Sequence, residues 1–349
     1  MDTDVGSTTV IAGAQKIFED LAEDVASHVH ATRDHVYPQP HTYLTTHLVC
    51  MKAAGWTNID FDTLAAVSGA SALFGFQPGT FTPKYALLHI EIDRRIEEAT
   101  GFGWEWVRFE GTEEAWRILR ETIASHRAVK GWYGESILYS GIVEGDDPQE
   151  RKVLALCDGS DYLDEWWGWQ EFCESGIQQG KGSWGRHTEP VAMLAPDTLA
   201  LRVVRDLVDW AGEHPQEVRH RFPEAAFGLA GIAAYRDACA DVDAYPDCRA
   251  CHDVNPQWAV RNSTARYLER IVAGDVAPPA TREAIRKAAG LYKDAYAAWR
   301  QFNQLLGPAA PESAGRRPGI RHAAARSIDD ALRFETQAIR LLRKALKVW

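Results

Sequence analysis

Residues 41–76 read HTYLTTHLVCMKAAGWTNIDFDTLAAVSGASALFGF. The run from Thr42 to Ala54 predicts a helix that stops at Gly55, because glycine adopts the left-handed cap conformation without a Cβ penalty. Asp60 or Asp62 can then cap a short second helix that ends near Ser68-Gly69. Beyond this stretch the pattern changes to short β-prone runs at 72–76, 104–109, 128–133, 136–143, 152–158 and 190–196. Between the second and third lies TEEAWRILRETIASH (112–126), where Thr112 is the expected cap, the first turn is acidic, and Trp116, Leu119 and Ile123 share a face. Upstream, Ile11, Ala14, Ile17, Phe18, Leu21 and Val25 form a stripe at three- and four-residue spacing, so a helix is expected within 9–28. Helices first and a strand-rich region second predict an α+β fold.

The β signal ends at Pro196. Amphipathic segments follow near 198–212, 224–240, 256–273, 281–306 and 320–347, with breakers at Pro278-Pro279 and through 307–319. This predicts a lead-in over 1–37, an α+β domain over 38–196 and an all-helical domain over 197–349.

With 349 residues the chain exceeds one ordinary core, and 46% hydrophobic with 25% charged residues fits a globular protein. No run of about 18 apolar residues occurs, and the first residues are acidic, so no membrane partner and a cytoplasmic location are expected. The net charge of −11 disfavours nucleic acid as a partner. One basic run, 316–347, reads as a solvated helix face, and the helical half offers a surface for homo-oligomer formation. Six cysteines without a secreted spacing read as reduced thiols.

The run 41–76 resembles the start of the papain-like cysteine-peptidase domain shared by bacteriocin-leader peptidases and butirosin-type acyltransferases. The features that carry the likeness are Gly55, Leu64-Ala65-Ala66, Ser68-Gly69 and Phe74. The stretch 112–159 looks like that fold's second half, with a helix, a strand, the base-bearing strand and a strand ending in Asp. The last helix, with Arg326, Glu335 and Ala338-Ile339, is similar to that of uncharacterised proteins in which helices follow such a domain.

In that fold a thiolate at a helix N-terminus is stabilised by the helix field and by an imidazolium that an acid orients. The resemblance implies that Thr42, preceded by His41, stands in the nucleophile position. It puts Glu135 or Ser136 in the base position and Asp158 in that of the orienting acid. Cys50 lies about two turns into the helix, as a packing residue or, in a shifted register, the nucleophile. A threonine hydroxyl needs a strong base, and an ordinary carboxylate is a weak one, so standard peptidase chemistry is not expected. Trp132, Tyr133, Trp166, Trp167 and Trp169 either line an acyl-binding cleft or pack in the core.

The functional expectation is therefore an acyl-group transferase or amide hydrolase with non-standard catalytic residues, acting on a small or carrier-bound acyl or aminoacyl substrate. The alternative is an inactive papain-like domain that binds a ligand or a protein partner. A third reading uses Cys248, Cys251 and His252, whose CxxCH spacing matches c-type haem attachment and could hold a metal if His220 or Cys239 joined it. No cofactor is the primary expectation. His28, His30, His41 and His47 form a local concentration that could ligate metal or supply a base for Thr42. The glycine-rich GKGSWG (180–185) lacks the phosphate-loop spacing and is expected to be a flexible loop.

Overall fold

The computed structural model describes residues 8–11, 14, 16, 42–77, 91–133, 135–144, 147, 149–157, 165–175, 181–212, 215–245, 251–307 and 310–349. Its architecture is mixed α+β. By contacts it divides into two units, one of residues 1–61 with 100–192 and another of 62–99 with 193–349. The second crossing lies close to the boundary expected at 196. Residues 62–99, expected in the first domain, group instead with the helical half.

In the first unit, seven strands of the described residues form one antiparallel sheet: β1 (Thr8–Val10), β3 (Trp104–Glu110), β4 (Val129–Tyr133), β5 (Glu135–Val143), β6 (Lys152–Cys157), β7 (Glu165–Gly168) and β8 (Lys181–His187). The order is β3-β8-β4-β5-β6-β7, with β1 pairing β5 beyond the end of β4. β2 (Gly75–Phe76) belongs to the second unit. Helices α1 (Thr42–Ala53) and α4 (Thr112–Ala124) pack on this sheet, and α5 (Trp169–Ser175) follows β7. The N-cap of α4 is Gly111 rather than Thr112, and it makes no side-chain cap bond. Glu114 serves the helix start instead, its Oε2 accepting a 2.8 Å bond from the Glu110 amide.

Three sequence expectations fail here. Residues 181–185 of the glycine-rich stretch, expected as a loop, belong to β8, which lies between β3 and β4. Its glycines make room for rings. A Cβ on Gly185 would stand 2.4 Å from Cζ2 of Trp104, and one on Gly182, directly opposite Phe109, would stand 2.7 Å from that ring. Thr9 and Val10, at the start of the segment 9–28 expected to hold a helix, belong to β1, and most of 9–28 lies outside the described residues. The expected strand at 190–196 is irregular backbone up to Pro196.

The second unit holds α2 (Phe61–Val67), α3 (Ile92–Thr100), α6 (Pro196–Asp209), α7 (Gln216–Arg221), α8 (Gly228–Ala240), α9 (Cys251–Ala273), α10 (Pro279–Leu306) and α11 (Pro318–Leu346), apart from the end residues Phe61 and Thr100. Proline opens α6, α10 and α11, where its missing N–H costs no helical bond. The core joins Val203, Val204 and Leu207 of α6, Leu268 and Ile271 of α9, Ile285 and Ala289 of α10, and Ile339 and Leu342 of α11. β2 pairs antiparallel with β9 (Ala226–Phe227), bringing Phe74 beside Trp299, with ring centroids 5.7 Å apart.

Buried and half-buried arginines tie these helices together. Arg321 is fully buried and donates to the carbonyls of Ala238, Cys239 and Asp241 at 2.8, 2.9 and 2.9 Å, and also to that of Tyr245. It thereby satisfies carbonyls at the C-terminal end of α8 that no further helical turn can reach. Arg95 of α3 pairs with Asp206 of α6, and Arg202 of α6 pairs with Glu98 of α3 at 2.7 Å. Burial raises the Asp206 carboxyl, an effect that Arg95 opposes.

Candidate functional site

The resemblance directs attention to the start of α1 and the strands beneath it. Thr42 is the first residue of α1, and Gly55, at φ +93°, closes the turn after the helix. The amide of Trp56 donates to the Met51 carbonyl at 2.9 Å, which completes that C-terminal turn. α1 packs against β4 and β5, and one side chain fixes its first turn there. Lys130 of β4 is fully buried, and its Nζ donates to the Tyr43 carbonyl at 2.9 Å while lying over the Tyr43 ring.

Cys50 stands eight residues beyond Thr42 and is buried. Burial pushes its thiol up to about 12, and Lys130 opposes this only in part. The thiol is therefore protonated at neutral pH.

His47 lies five residues after Thr42, which at about 100° per residue turns it roughly 140° around the helix. It is fully buried, with its ring 4.5 Å from that of Trp104 and 5.7 Å from that of Phe102. His187, at the end of β8, stacks on Phe102 at 4.4 Å and meets Trp56 edge-on at 5.2 Å. Burial holds both imidazoles below their ordinary range, helped by Lys130 at His47 and by Arg127 at His187, while Glu189 pulls His187 back in part. Two neutral imidazoles thus flank one phenyl ring in a mostly aromatic cluster, an arrangement that suits packing better than proton transfer.

Glu135 is the first residue of β5 and pairs in register with Tyr133, and Trp132 of β4 pairs with Ser136. Trp167 lies in β7 opposite Val153, its ring edge-on to Phe172 at 6.4 Å. Trp169 is buried among Trp116 and Phe172, and Trp166 is 39% exposed. His41, Asp158 and Cys248 lie outside the described residues, and Cys251 and His252 open α9. Cys239 is buried in α8. Among the described residues, no group of three or more His, Cys, Asp or Glu side chains is arranged for a metal ion. No helix among them is long and apolar enough to cross a membrane.

Lys130, and the placing of His47 and His187 against the same Phe102 ring, escaped the sequence reading. A lysine in a strand normally reads as solvent-facing, and only its alternation with Val129, which is also buried, could have raised the question. A second polar centre was half legible. Glu335, noted in the last helix, is buried in the second unit and paired with Arg261 of α9, which gave no sequence signal. Compared with known proteins, the chain matches no family model and no curated protein.

Proposed function

We propose that the chain is a papain-like protein that binds an acyl or aminoacyl group, small or carrier-borne, without forming a thioester on itself. The observation that carries this reading is the chemistry of α1. The helix opens with Thr42, and its cysteine, Cys50, is buried with a thiol pushed up to about 12. A papain-like nucleophile requires the reverse, an accessible thiolate at the helix end where the backbone N–H groups favour negative charge. The helix resting on antiparallel strands supports the frame, and the burial of Cys50 removes the thiolate from it. Transfer through the Thr42 hydroxyl is the competing reading, because Thr42 does occupy the helix start.

The test is intact-mass analysis of the wild type, Thr42→Ala and Cys50→Ala with acetyl, glycyl and hexanoyl thioesters of a pantetheine mimic. Binding is measured with the matching non-cleavable thioethers. The expected result is saturable thioether binding by the wild type, with no acyl adduct and no turnover above background in any form. An adduct or turnover that disappears in Thr42→Ala establishes transfer through that hydroxyl. One that disappears in Cys50→Ala overturns the reading, as does the absence of any thioether binding.

A further inference from the structure

The segment 336–349 holds Arg340, Arg343, Lys344 and Lys347 and no acidic side chain. At about 100° per residue these four fall within an arc of roughly 100° around the helix axis. All four are exposed, while Ala338, Ile339, Leu342 and Ala345, on the other side of α11, are buried in the helical unit. Arg333, two turns earlier, pairs with Asp330 at 2.7 Å, whereas none of the four forms an ion pair among the described residues. The field of a helix C-terminus favours cations only in the last turn, and Arg340 lies before it.

The opposite charge stands in the first unit. The turn between β5 and β6 contains EGDDPQE (144–150), four acids in seven residues with no base. Asp147 shapes this turn, its carboxylate accepting a 2.9 Å bond from the Gln149 amide and its carbonyl a 2.9 Å bond from the Glu150 amide. Asp147 and Glu150 are exposed and Glu144 is half-buried, and none of the three forms an ion pair among the described residues. Asp146 lies outside them.

We propose that the basic face of α11 docks the acidic 144–150 turn of a second copy of this chain. Four cations then meet four acids, and both surfaces are present on every copy. A twofold pair makes the contact twice, which offsets the weakness of single exposed ion pairs. The net charge of −11 sets the chain as a whole against nucleic acid and anionic lipid, so an acidic protein surface is the better matched occupant.

The full-length protein is followed by sedimentation velocity from about 5 to about 500 μM, in about 25 mM and about 300 mM NaCl. The expected result is dimer formation that weakens at least about tenfold at the higher salt, where exposed charges are screened. One variant reverses the helix face with Arg340→Glu, Lys344→Glu and Lys347→Glu. The other reverses the turn with Asp146→Lys, Gln149→Lys and Glu150→Lys, which leaves the Asp147 carboxylate in place. Each variant alone sets like charges against each other and should stay monomeric. Mixed, they present an acidic helix to a basic turn and a basic helix to an acidic turn, so they should associate with each other. Circular dichroism checks that both fold. A wild type that is monomeric at both salts overturns the proposal, as does self-association of either folded variant at the wild-type level. A mixture that associates no better than its components does the same. Where a variant does not fold, Lys344→Gln, which removes one exposed charge, takes its place. It should weaken the dimer by about two- to fivefold, and a dimer insensitive to both salt and this change overturns the proposal. A monomeric wild type that binds a DNA duplex or phosphatidylserine vesicles, and loses that binding in the helix variant, assigns the face to that anion and overturns the dimer.

Discussion

Arg261 and Glu335, 74 residues apart in sequence, form an ion pair at 3.1 Å with side chains only 3% and 5% exposed. Each thus carries its charge into the core with an opposite charge beside it. Trp299 Nε1 adds a second donor to the same carboxylate oxygen, so α9, α10 and α11 meet at one atom. Burial, and after it the nearby Glu335 carboxylate, raise the Tyr292 phenol well above its ordinary range, which keeps it neutral and able to donate.

Glu335→Leu should therefore destabilise the protein by about 3–5 kcal/mol, because it removes a buried carboxylate from beside the Arg261 guanidinium. Arg261→Met combined with Glu335→Leu should lose less than the sum of the two single changes, with a coupling of about 1–3 kcal/mol. Urea unfolding of the four proteins measures this directly, and additive losses would show that the pair is not coupled.

Arg321→Lys tests whether the planar fork matters. A lysine presents a single ammonium and cannot reach the carbonyls of Ala238, Cys239, Asp241 and Tyr245 together. At about 1–3 kcal/mol for each buried carbonyl left without a donor, both Arg321→Lys and Arg321→Ala should cost more than about 2 kcal/mol. Hydrogen exchange should report earlier opening at the C-terminal end of α8 than elsewhere in the helix.

The buried imidazoles make stability depend on pH in a stated direction. His47 and His187 both have folded values below 6.5, so the unfolded chain binds more protons as pH falls through that value. Their contribution is fully present above about pH 6.5 and declines as the pH falls toward the folded values, where it levels off. Urea midpoints measured between about pH 8 and pH 5 should fall with acid, and His47→Phe should flatten part of that decline. A slope identical to that of the wild type would mean that His47 does not titrate differently in the two states.

Cys50 should resist alkylation. With its thiol buried and at about 12, iodoacetamide at neutral pH should leave the Cys50 peptide unmodified in the folded protein and label it once the chain is unfolded. Half-buried Cys173 is the internal reference. Peptide mapping by mass spectrometry reads both, and rapid labelling of Cys50 in the folded state would contradict the environment described for it.

Much of the fold was legible because local pattern reports local structure. The stop at Gly55, the stripe through Trp116, Leu119 and Ile123, and the β-branched and aromatic runs of β3 to β6 each carry their own period. What the sequence left open was pairing over distance. β8 has the composition of a loop, and it is a strand because its glycines lie under Trp104 and Phe109, residues more than seventy positions earlier. The candidate site divides in the same way. The chain itself determines that Thr42 opens α1 and that Cys50 comes two turns later. Only the tertiary structure decides that Lys130 anchors that helix, that Cys50 is desolvated, and that Arg261 meets Glu335, because burial and charge pairing are properties of what surrounds a side chain and not of its place in the sequence.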